Sequence, residues 1–413
     1  MKYLILGNGP ASIHAIQSIR KQDANGSITL VTPEELPAYS PCLLADLLAN
    51  RVGLESLYFI EPGFYTNHNV QTLVNEKAVR ILPEEKKVIT NSEKELSYDR
   101  LFVGIGADPL IPKIPGAHLS NVFPMKSLKD VKNIQKALPH VDSTIVIGAG
   151  FIGLEVAQAL KENGKNVTVV ELLDRVLPLM LDNEMSQPVH DLLVKHDINV
   201  LLGQKVESIN GQNAVKSVTI GGREYPCDMV VLATGVHPRS DIARQANLHV
   251  ETGIIVDNHM RTSDPNIYAA GDIVETEDIF GDQRILANWP NATNGGKIAG
   301  LNMTGAQVTG SGLEALNVVK VFDTPICSIG NIQPEETLTI KKDGVWKKYH
   351  LSNNRITGMQ WIGTVERAGV ILSLIKKRHN VSELLPVIAQ DHLTYGHLMP
   401  EAGAPTIFPV GIT

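Results

Sequence analysis

Short apolar stretches and amphipathic segments alternate along most of the chain, with glycine-containing turns between them. The first apolar stretch, residues 2–6, is followed by Ile13, Ile16 and Ile19 at helical spacing and then by a second stretch at 27–31. Continuous apolar runs of this length are typical of buried parallel strands, and the isoleucine spacing is that of one helix face. The pattern predicts a strand, a glycine turn, a helix and a second strand.

The same pattern returns further along the chain, so the sequence contains a duplication. Residues 144–147 and 166–171 are the two strands of the second copy, and a helix with one apolar face lies between them. Each copy also closes with an apolar strand and a glycine turn, at 100–107 and 228–235. We therefore predict an α/β protein with two Rossmann-like dinucleotide-binding folds.

The glycines of each turn have the spacing of a dinucleotide-binding fingerprint. The second copy completes the motif at 148–153, whereas in the first copy, at 7–12, Ser12 takes the place of the third glycine. The first glycine makes the turn, the second lets the backbone approach a pyrophosphate, and the third allows the helix to pack closely on the strand. The pyrophosphate would then lie on free N–H groups at a helix N-terminus.

Charge and cysteine content exclude several classes of protein. The 413 residues contain 37 Lys and Arg against 44 Asp and Glu, without a long cationic cluster, so a nucleic-acid partner is not expected. No apolar run reaches the length of a membrane-spanning helix. The three cysteines, Cys42, Cys227 and Cys327, include no C-x-x-C pair, so we expect neither disulfides nor a metal site. We therefore expect a cytoplasmic location.

Two further segments carry a family resemblance. Residues 262–272 (TSDPNIYAAGD) end on Asp272, and residues 289–303 form a glycine-containing helix. Together with the two glycine turns, these segments resemble the flavoprotein reductases of the pyridine nucleotide–disulfide oxidoreductase superfamily, which contain two dinucleotide-binding folds. The resemblance implies that FAD binds to the first fold and NADH to the second.

The resemblance also assigns individual residues to the cofactors. The expected cofactor contacts are Gly7, Gly9, Pro10, Ala11, Ser12, Glu34, Gly106, Gly148, Gly150, Phe151, Ile152, Gly153, Glu171, Gly235, Gly271, Asp272 and Asn291. Asp272 is expected to accept a hydrogen bond from the ribityl chain of FAD. Glu155 resembles a family glutamate close to the nicotinamide, and its position alone is equally that of a first-turn acid favoured by the helix dipole.

Acidic residues after the second strand of each fold bear on the choice of dinucleotide. Glu171 ends that strand in the second fold, where a carboxylate binds the ribose 2′-OH and repels a 2′-phosphate, so NADH is expected rather than NADPH. In the first fold Glu34 is the candidate for the adenosine ribose of FAD, although Thr32 occupies the position where many relatives carry the acid.

The chain is too long for one core, and the resemblance divides it into domains. These are an FAD domain (1–111 and 243–312), an inserted NAD(H) domain (112–242), a small α/β C-terminal interface domain (313–389) and an irregular tail (390–413). Strands near 318–322 and 354–361 and a helix at 367–377 are predicted in the C-terminal domain. It resembles that of rubredoxin reductases and of the flavin module of NADH-dependent nitrite reductases, which pass electrons to another redox centre.

Cys42 is the one cysteine placed like a redox thiol. Single-cysteine relatives, which include NADH oxidases and coenzyme A-disulfide and persulfide reductases, keep a redox cysteine here, usually followed by glycine, whereas Leu43 follows Cys42. Ser40 is a good N-cap and Pro41 suits the first helical position, so Cys42 is expected in the first turn of a helix, where its pKa would be lowered. The alternative is that Cys42 only fills space beside the flavin.

These features predict an FAD-dependent NADH oxidoreductase. Hydride from NADH would reduce the flavin, which can give electrons singly or in pairs. The first choice of acceptor is a partner redox protein or iron–sulfur subunit, and the alternative is oxygen, a disulfide or a persulfide reduced through Cys42. A non-catalytic FAD-binding subunit is a third hypothesis, against which the intact second fingerprint and Glu171 argue. A homodimer and a subunit of a hetero-complex both remain open.

Overall fold

The computed structural model describes residues 1–35, 37–332 and 335–398. These residues form two compact units, one made of Met1–Leu179 and Val189–Ala315 and the other of Met180–Pro188 and the chain from Leu316 onward. Most of the tail predicted at 390–413, including its apolar end, lies outside the described residues. Within the described ranges, no helix is long and apolar enough to cross a membrane.

A five-stranded parallel sheet forms the first predicted fold. Its strands, in spatial order, are Ile267–Ala269 (β19), Arg100–Val103 (β7), Lys2–Leu6 (β1), Ser27–Val31 (β2) and Val70–Leu73 (β3). The last four residues of β1 are buried, as expected for a central parallel strand. In the register of the sheet Leu6 lies beside Val31 and Val103, so the carboxyl ends of three strands meet at one edge.

Two helices of this fold, Pro10–Gln22 (α1) and Trp289–Met303 (α8), pack closely on each other. A β-carbon at Gly296 would strike the carbonyl oxygen of Ala11, and one at Gly300 would strike that of Ala15. Since the contacts advance together along both helices, α1 and α8 run parallel. Their N-termini, where free N–H groups favour anions, therefore point the same way.

A second parallel sheet forms the second predicted fold. Its strands, in spatial order, are Asn199–Leu201 (β12), Asn166–Val170 (β11), Ser143–Ile147 (β10), Met229–Leu232 (β16) and Val122–Pro124 (β9). The helix Phe151–Glu162 (α5) follows β10 as α1 follows β1. Because β16, β10 and β11 are neighbours in the same order as β7, β1 and β2, the predicted duplication and the two Rossmann-like folds are confirmed.

Small sheets and short helices complete the elements up to residue 315. The remaining strands are Ala78–Leu82 (β4), Lys87–Thr90 (β5), Glu95–Ser97 (β6), Ala107–Pro109 (β8), Val206–Gly211 (β13), Val215–Ile220 (β14), Arg223–Pro226 (β15), Val236–Pro238 (β17), Ile254–Ile255 (β18), Val274–Glu277 (β20) and Gln283–Arg284 (β21). The remaining helices are Leu44–Leu48 (α2), Phe64–Asn67 (α3), Leu128–Ala137 (α4), Asn183–Lys195 (α6) and Asp241–Gln245 (α7). β8 and β17 pair antiparallel, close in sequence to the predicted domain boundaries at 111 and 242, which stay predictions.

The second unit contains a five-stranded antiparallel sheet. Its strands, in spatial order, are Leu316–Val321 (β22), Thr324–Gly330 (β23), Arg355–Ile362 (β26), Val345–Ser352 (β25) and Glu336–Lys342 (β24). The helices Ala368–Lys376 (α9) and Leu385–Ala389 (α10) follow. The apolar face predicted for α9, namely Val370, Ile371, Leu374 and Ile375, is buried.

A polar cluster in this second unit includes three buried residues, Lys348, His350 and Gln360. The ammonium group of Lys348, whose side chain is 10% exposed, lies 2.8 Å from the carboxylates of both Asp182 and Glu184. Burial opposes the charged form of Lys348, but these two hydrogen bonds outweigh it and raise the pKa. His350 is fully buried, its ring contacts the amide of Gln360 at 2.8 Å, and desolvation lowers its pKa to about 4, so the ring is neutral.

Candidate active site

Each glycine turn has the backbone that the fingerprint requires. Gly7 and Gly148 have φ angles of +95° and +108°, in the left-handed region that favours glycine. A β-carbon at Gly7 would strike the carbonyl oxygen of Gly104, and one at Gly148 would strike that of Ala233. Both positions therefore need glycine for two separate reasons.

The third position of the fingerprint shows an exchange of side-chain volume between the two folds. A β-carbon at Gly153 would strike the carbonyl oxygen of Gly148 and lie 3.4 Å from the β-carbon of Ala233. In the first fold Ser12 holds this position, and the facing residue is Gly104, where a β-carbon would lie only 2.7 Å from the Ser12 hydroxyl oxygen. Ser12 is accommodated because the side chain opposite is missing.

The second glycine of each turn leaves open space at a helix N-terminus. Gly9 and Gly150 are the N-cap residues of α1 and α5, both are extended, and neither helix has a side-chain cap. A β-carbon at either residue would meet no atom within 4 Å. Pro10 occupies the first helical position of α1, where its missing N–H costs nothing. Uncapped N–H groups facing open space fit the pyrophosphate of a dinucleotide.

Glu171 is held against the second glycine turn. Its side chain is buried, one carboxylate oxygen accepts the N–H of Ala149 at 2.8 Å, and the other accepts the N–H of Leu173 at 3.0 Å. A carboxylate oxygen can accept more than one hydrogen bond, so both retain capacity for a ribose hydroxyl. The structure therefore adds a second role for Glu171, which supports the turn itself.

In the first fold, Thr32 and Glu34 follow β2 at the positions that correspond to the Glu171 region of the second fold. Thr32 is buried and its hydroxyl accepts the N–H of Glu34 at 3.2 Å. The Glu34 carboxylate accepts a hydrogen bond from the hydroxyl of Tyr39, also at 3.2 Å. Desolvation raises the pKa of Glu34, against the lowering effects of Tyr39 and Arg239. The Thr32 hydroxyl thus supports the turn, and Glu34 stays the predicted ribose contact.

Asp272 forms an ion pair that the sequence did not predict. Its carboxylate lies 2.9 Å from the ammonium group of Lys126, and each side chain is 23% exposed. Lys126 directly precedes the capping box of α4, in which Ser127 and Asp130 bind each other's backbone N–H. Lys126 could have been identified from the sequence, because it lies between the carboxyl end of a parallel strand and a capping box. Ligands of such folds bind at that edge of the sheet.

Three further glycines among the predicted cofactor contacts have positive φ angles. The side chain of Asn291, by contrast, forms its hydrogen bonds within the protein. The φ angles of Gly106, Gly235 and Gly271 are +69°, +103° and +88°. The amide nitrogen of Asn291 donates to the carbonyl groups of Leu286 and Glu314, and its oxygen accepts the N–H of Glu314. We therefore leave Asn291 out of the proposed cofactor contacts.

The helical segment at Cys42 begins with Pro41, as the sequence predicts, but as a 3-10 turn rather than an α-helix. Pro41–Leu43 form a single 3-10 turn, α2 begins only at Leu44, and Ser40 makes no side-chain capping bond. The Leu43 backbone, with φ −101° and ψ 7°, separates the turn from the helix. Cys42 consequently lacks a helix N-terminus of useful length beneath it.

The expected lowering of the Cys42 pKa is wrong. Desolvation by the surrounding protein raises the pKa of the thiol, although the residue keeps an exposed surface. A hydrogen bond with Ser40 lowers it, the carboxylates of Glu155 and Asp272 raise it further, and Lys126 lowers it slightly. The thiol thus lies within reach of the predicted site residues, in a setting that favours its protonated form.

Glu155 is the half-buried acid of the site. It is the fifth residue of α5, and the first turn of that helix contains no acidic residue, so the first-turn interpretation is wrong. Desolvation raises the pKa of Glu155 to about 7, with a further increase from Asp46 and a decrease from Arg51. A carboxyl group that titrates near neutrality beside a ligand site is typical of a functional residue. Phe151 and Ile152, which are also predicted cofactor contacts, are the first two residues of the same helix. Phe151 is exposed and Ile152 is half-buried.

Residues 1–296 match the model of the pyridine nucleotide-disulphide oxidoreductase family. The chain belongs to this family. Members use FAD together with a nicotinamide dinucleotide, so the protein is an FAD-dependent NAD(P)H oxidoreductase. Both glycine turns fit the pyrophosphate of a dinucleotide, because each presents uncapped N–H groups to open space.

Several proteins of this oxidoreductase family are similar to the chain. An NADH oxidase of Methanocaldococcus jannaschii is 33% identical over 81% of this chain and 75% of its own. A rubredoxin-NAD+ reductase of Pseudomonas putida is 29% identical over 83% of this chain and 94% of its own. Among solved structures, an NAD-dependent persulfide reductase from A. fulgidus superposes with a TM-score of 0.89, at 31% identity over 93% of this chain and 78% of its own.

Glu171→Gln should narrow the preference of this oxidoreductase for NADH over NADPH. The substitution removes the charge that repels a 2′-phosphate, and glutamine keeps one acceptor for the turn. We expect the ratio of kcat/KM for the two nucleotides to fall roughly 30-fold, or about 2 kcal/mol for a hydrogen bond to a charged group. Steady-state kinetics with NADH and NADPH checks this. Equal kcat/KM values in the wild type would contradict the assignment.

Proposed function

We propose that this protein oxidises NADH and delivers the electrons, through FAD, to a separate redox protein such as an iron–sulfur or rubredoxin-type carrier. The observation that carries the proposal is the local backbone of Cys42, which lies in a 3-10 turn before α2, where burial also raises the pKa of the thiol. Only a thiolate is a nucleophile, so a thiol held protonated is a poor intermediate for reducing disulfides or persulfides. The similarity to a rubredoxin-NAD+ reductase supports the same acceptor class.

The residues around the two turns would bind different parts of the two cofactors. The N–H groups behind Gly9 and Gly150 would bind the pyrophosphates of FAD and NADH. Asp272, oriented by Lys126, would accept hydrogen bonds from the ribityl chain, and Glu171 would bind the nicotinamide-dinucleotide ribose. FAD supplies the chemistry that the side chains lack, since it accepts hydride and releases electrons singly or in pairs.

Anaerobic stopped-flow mixing tests the proposed acceptor. NADH should bleach the flavin absorbance of the holoenzyme rapidly, and a rubredoxin or ferredoxin should then restore it faster than oxygen or coenzyme A persulfide does. Bleaching without faster reoxidation by an iron protein would overturn the acceptor class. A flavin that NADH does not bleach would instead favour the non-catalytic FAD-binding subunit.

The second candidate function is reduction of oxygen, a disulfide or a persulfide through Cys42. It is favoured by one observation, namely that the Cys42 thiol interacts electrostatically with Glu155, Asp272 and Lys126 and so lies among the predicted site residues. The similarity to an NADH oxidase and to a persulfide reductase points to the same chemistry. We rank it second because the thiol is not activated.

Cys42→Ser should keep NADH-dependent ferricyanide reduction within about threefold of the wild type, or about 0.6 kcal/mol. Electrons that leave directly from the flavin do not need the thiol. An anaerobic NADH titration should consume the same number of equivalents in both proteins, without a long-wavelength charge-transfer band. An extra electron pair that is taken up by the wild type and lost in Cys42→Ser would promote the thiol-based function.

A further inference from the structure

Three carboxylates and one guanidinium group lie together where α2 faces α5. Asp46 belongs to α2, whereas Glu155 and Glu162 are seven residues apart on one face of α5. Arg51, which follows α2, binds both elements: its Nη1 lies 2.7 Å from Asp46 and its Nε lies 3.1 Å from Glu162.

Hydrogen bonds outside the charged groups fix this arrangement. The side-chain amide of Asn163, the C-cap residue of α5, donates to the carbonyl oxygen of Leu48 at 3.0 Å. The Asn50 amide in turn donates to the Asn163 side-chain oxygen at 3.3 Å. These hydrogen bonds, together with the Arg51 ion pairs, join the α2 segment to the C-terminal end of α5.

The charges in this cluster do not balance. Arg51 pairs directly with Asp46 and Glu162, so one positive charge serves two carboxylates, whereas Glu155 forms no ion pair within the part of the chain that the structure describes. Burial of Glu155 and the nearby Asp46 both oppose ionisation, Arg51 favours it, and the Cys42 thiol is the other titratable group coupled to Glu155. The balance of these effects raises the pKa of Glu155 to about 7.

We infer that Glu155 carries a proton when the neutral ring of NADH is bound and is ionised when the cationic ring of NAD+ is bound, with Asp46 and Arg51 as the positioning residues that set the pH of this change. The inference deepens the proposed function, and it rests on the nicotinamide lying close to Glu155. A cationic ring beside a carboxyl group favours its charged form, so NAD+ should displace the proton to solvent. No bond other than the carboxyl O–H is broken.

Equilibrium binding of NAD+ to the oxidised holoenzyme tests the inference without turnover. Between about pH 5.5 and 8.5 the Kd should fall roughly tenfold, because a one-unit change in the Glu155 pKa corresponds to a tenfold change in affinity. A pH-indicator dye in weak buffer should report proton release on NAD+ binding, largest at the pH where the Kd profile is steepest. Glu155→Gln should abolish both the pH dependence and the proton release while keeping bound flavin.

Two substitutions should shift the transition in opposite directions. Asp46→Asn removes a like charge and should move the midpoint of the Kd profile to lower pH. Arg51→Met removes a favourable charge and should move it to higher pH. Arg261→Met is the matched control, since Arg261 also pairs with an aspartate, Asp257, at 3.0 Å, and it should leave the midpoint in place.

The outcomes separate this inference from the proposed function. NAD+ binding with a Kd that is independent of pH, or a pH dependence that survives Glu155→Gln, would overturn the inference and leave the oxidoreductase function intact. Midpoints that shift in the same direction in Asp46→Asn and Arg51→Met would overturn the role of the two positioning residues. Absence of NAD+ binding at every pH, together with a flavin that NADH does not bleach, would overturn both.

Discussion

Gly9→Val should give a protein that is purified nearly colourless, with less than about a tenth of the wild-type flavin content. Gly9 is extended and a β-carbon would meet no protein atom within 4 Å, so the valine itself fits the fold. Its methyl groups would fill the space in front of the α1 N-terminus, where the pyrophosphate of FAD needs direct access to backbone N–H groups. Absorbance at the flavin band relative to protein measures the loss.

Gly53→Val is the matched control for this experiment. Gly53 is likewise an extended N-cap residue with φ −84° and ψ 169°, and a β-carbon there would also meet no atom within 4 Å. The two substitutions add the same side chain at the same kind of position, so only the ligand site distinguishes them. Gly53→Val should remain yellow. A Gly9→Val protein with full flavin content would mean that FAD binds elsewhere.

Gly150→Val should separate the two cofactors. The residue is the N-cap of α5 and faces open space in the second fold. We expect normal flavin content, while kcat/KM for NADH falls on the order of 100-fold, or about 2.7 kcal/mol of binding free energy. The measurement is the rate of flavin bleaching as a function of NADH concentration.

Chemical reduction with dithionite serves as the internal control for Gly150→Val. Dithionite does not need the nicotinamide site, so it should bleach the flavin of the variant as fast as that of the wild type. Loss of flavin from Gly150→Val, with undiminished NADH affinity in whatever flavin remains, would reverse the assignment of the two folds.

Local sequence patterns predicted the parts of the molecule that depend on neighbouring residues. The two glycine turns, their strands and helices, and Glu171 at the end of β11 follow from spacing that the chain itself displays. Each of these features is set by the backbone conformation and burial of a single strand–turn–helix unit, so one sequence contains the information.

The same local patterns could not predict contacts between residues far apart in the sequence. The Lys126–Asp272 ion pair joins residues 146 positions apart, and Lys348 reaches Glu184 across 164 positions. Cys42 shows the limit of local reasoning in another way: Ser40 and Pro41 are good helix-start residues, yet the backbone makes a 3-10 turn there. The sign of the Cys42 pKa shift depends on desolvation and on Glu155 and Asp272, which come from distant segments.

The reciprocal sizes of Ser12 and Gly104 have a consequence for the evolution of the family. In the second fold the facing residues are Gly153 and Ala233, and a side chain at position 153 is excluded first by the carbonyl oxygen of Gly148. Positions 12 and 104 should therefore co-vary among homologues, with a larger residue at one accompanied by glycine at the other. A chain that inherited Ser12 together with an alanine at position 104 would need the helix to move off the sheet, and selection should remove that combination.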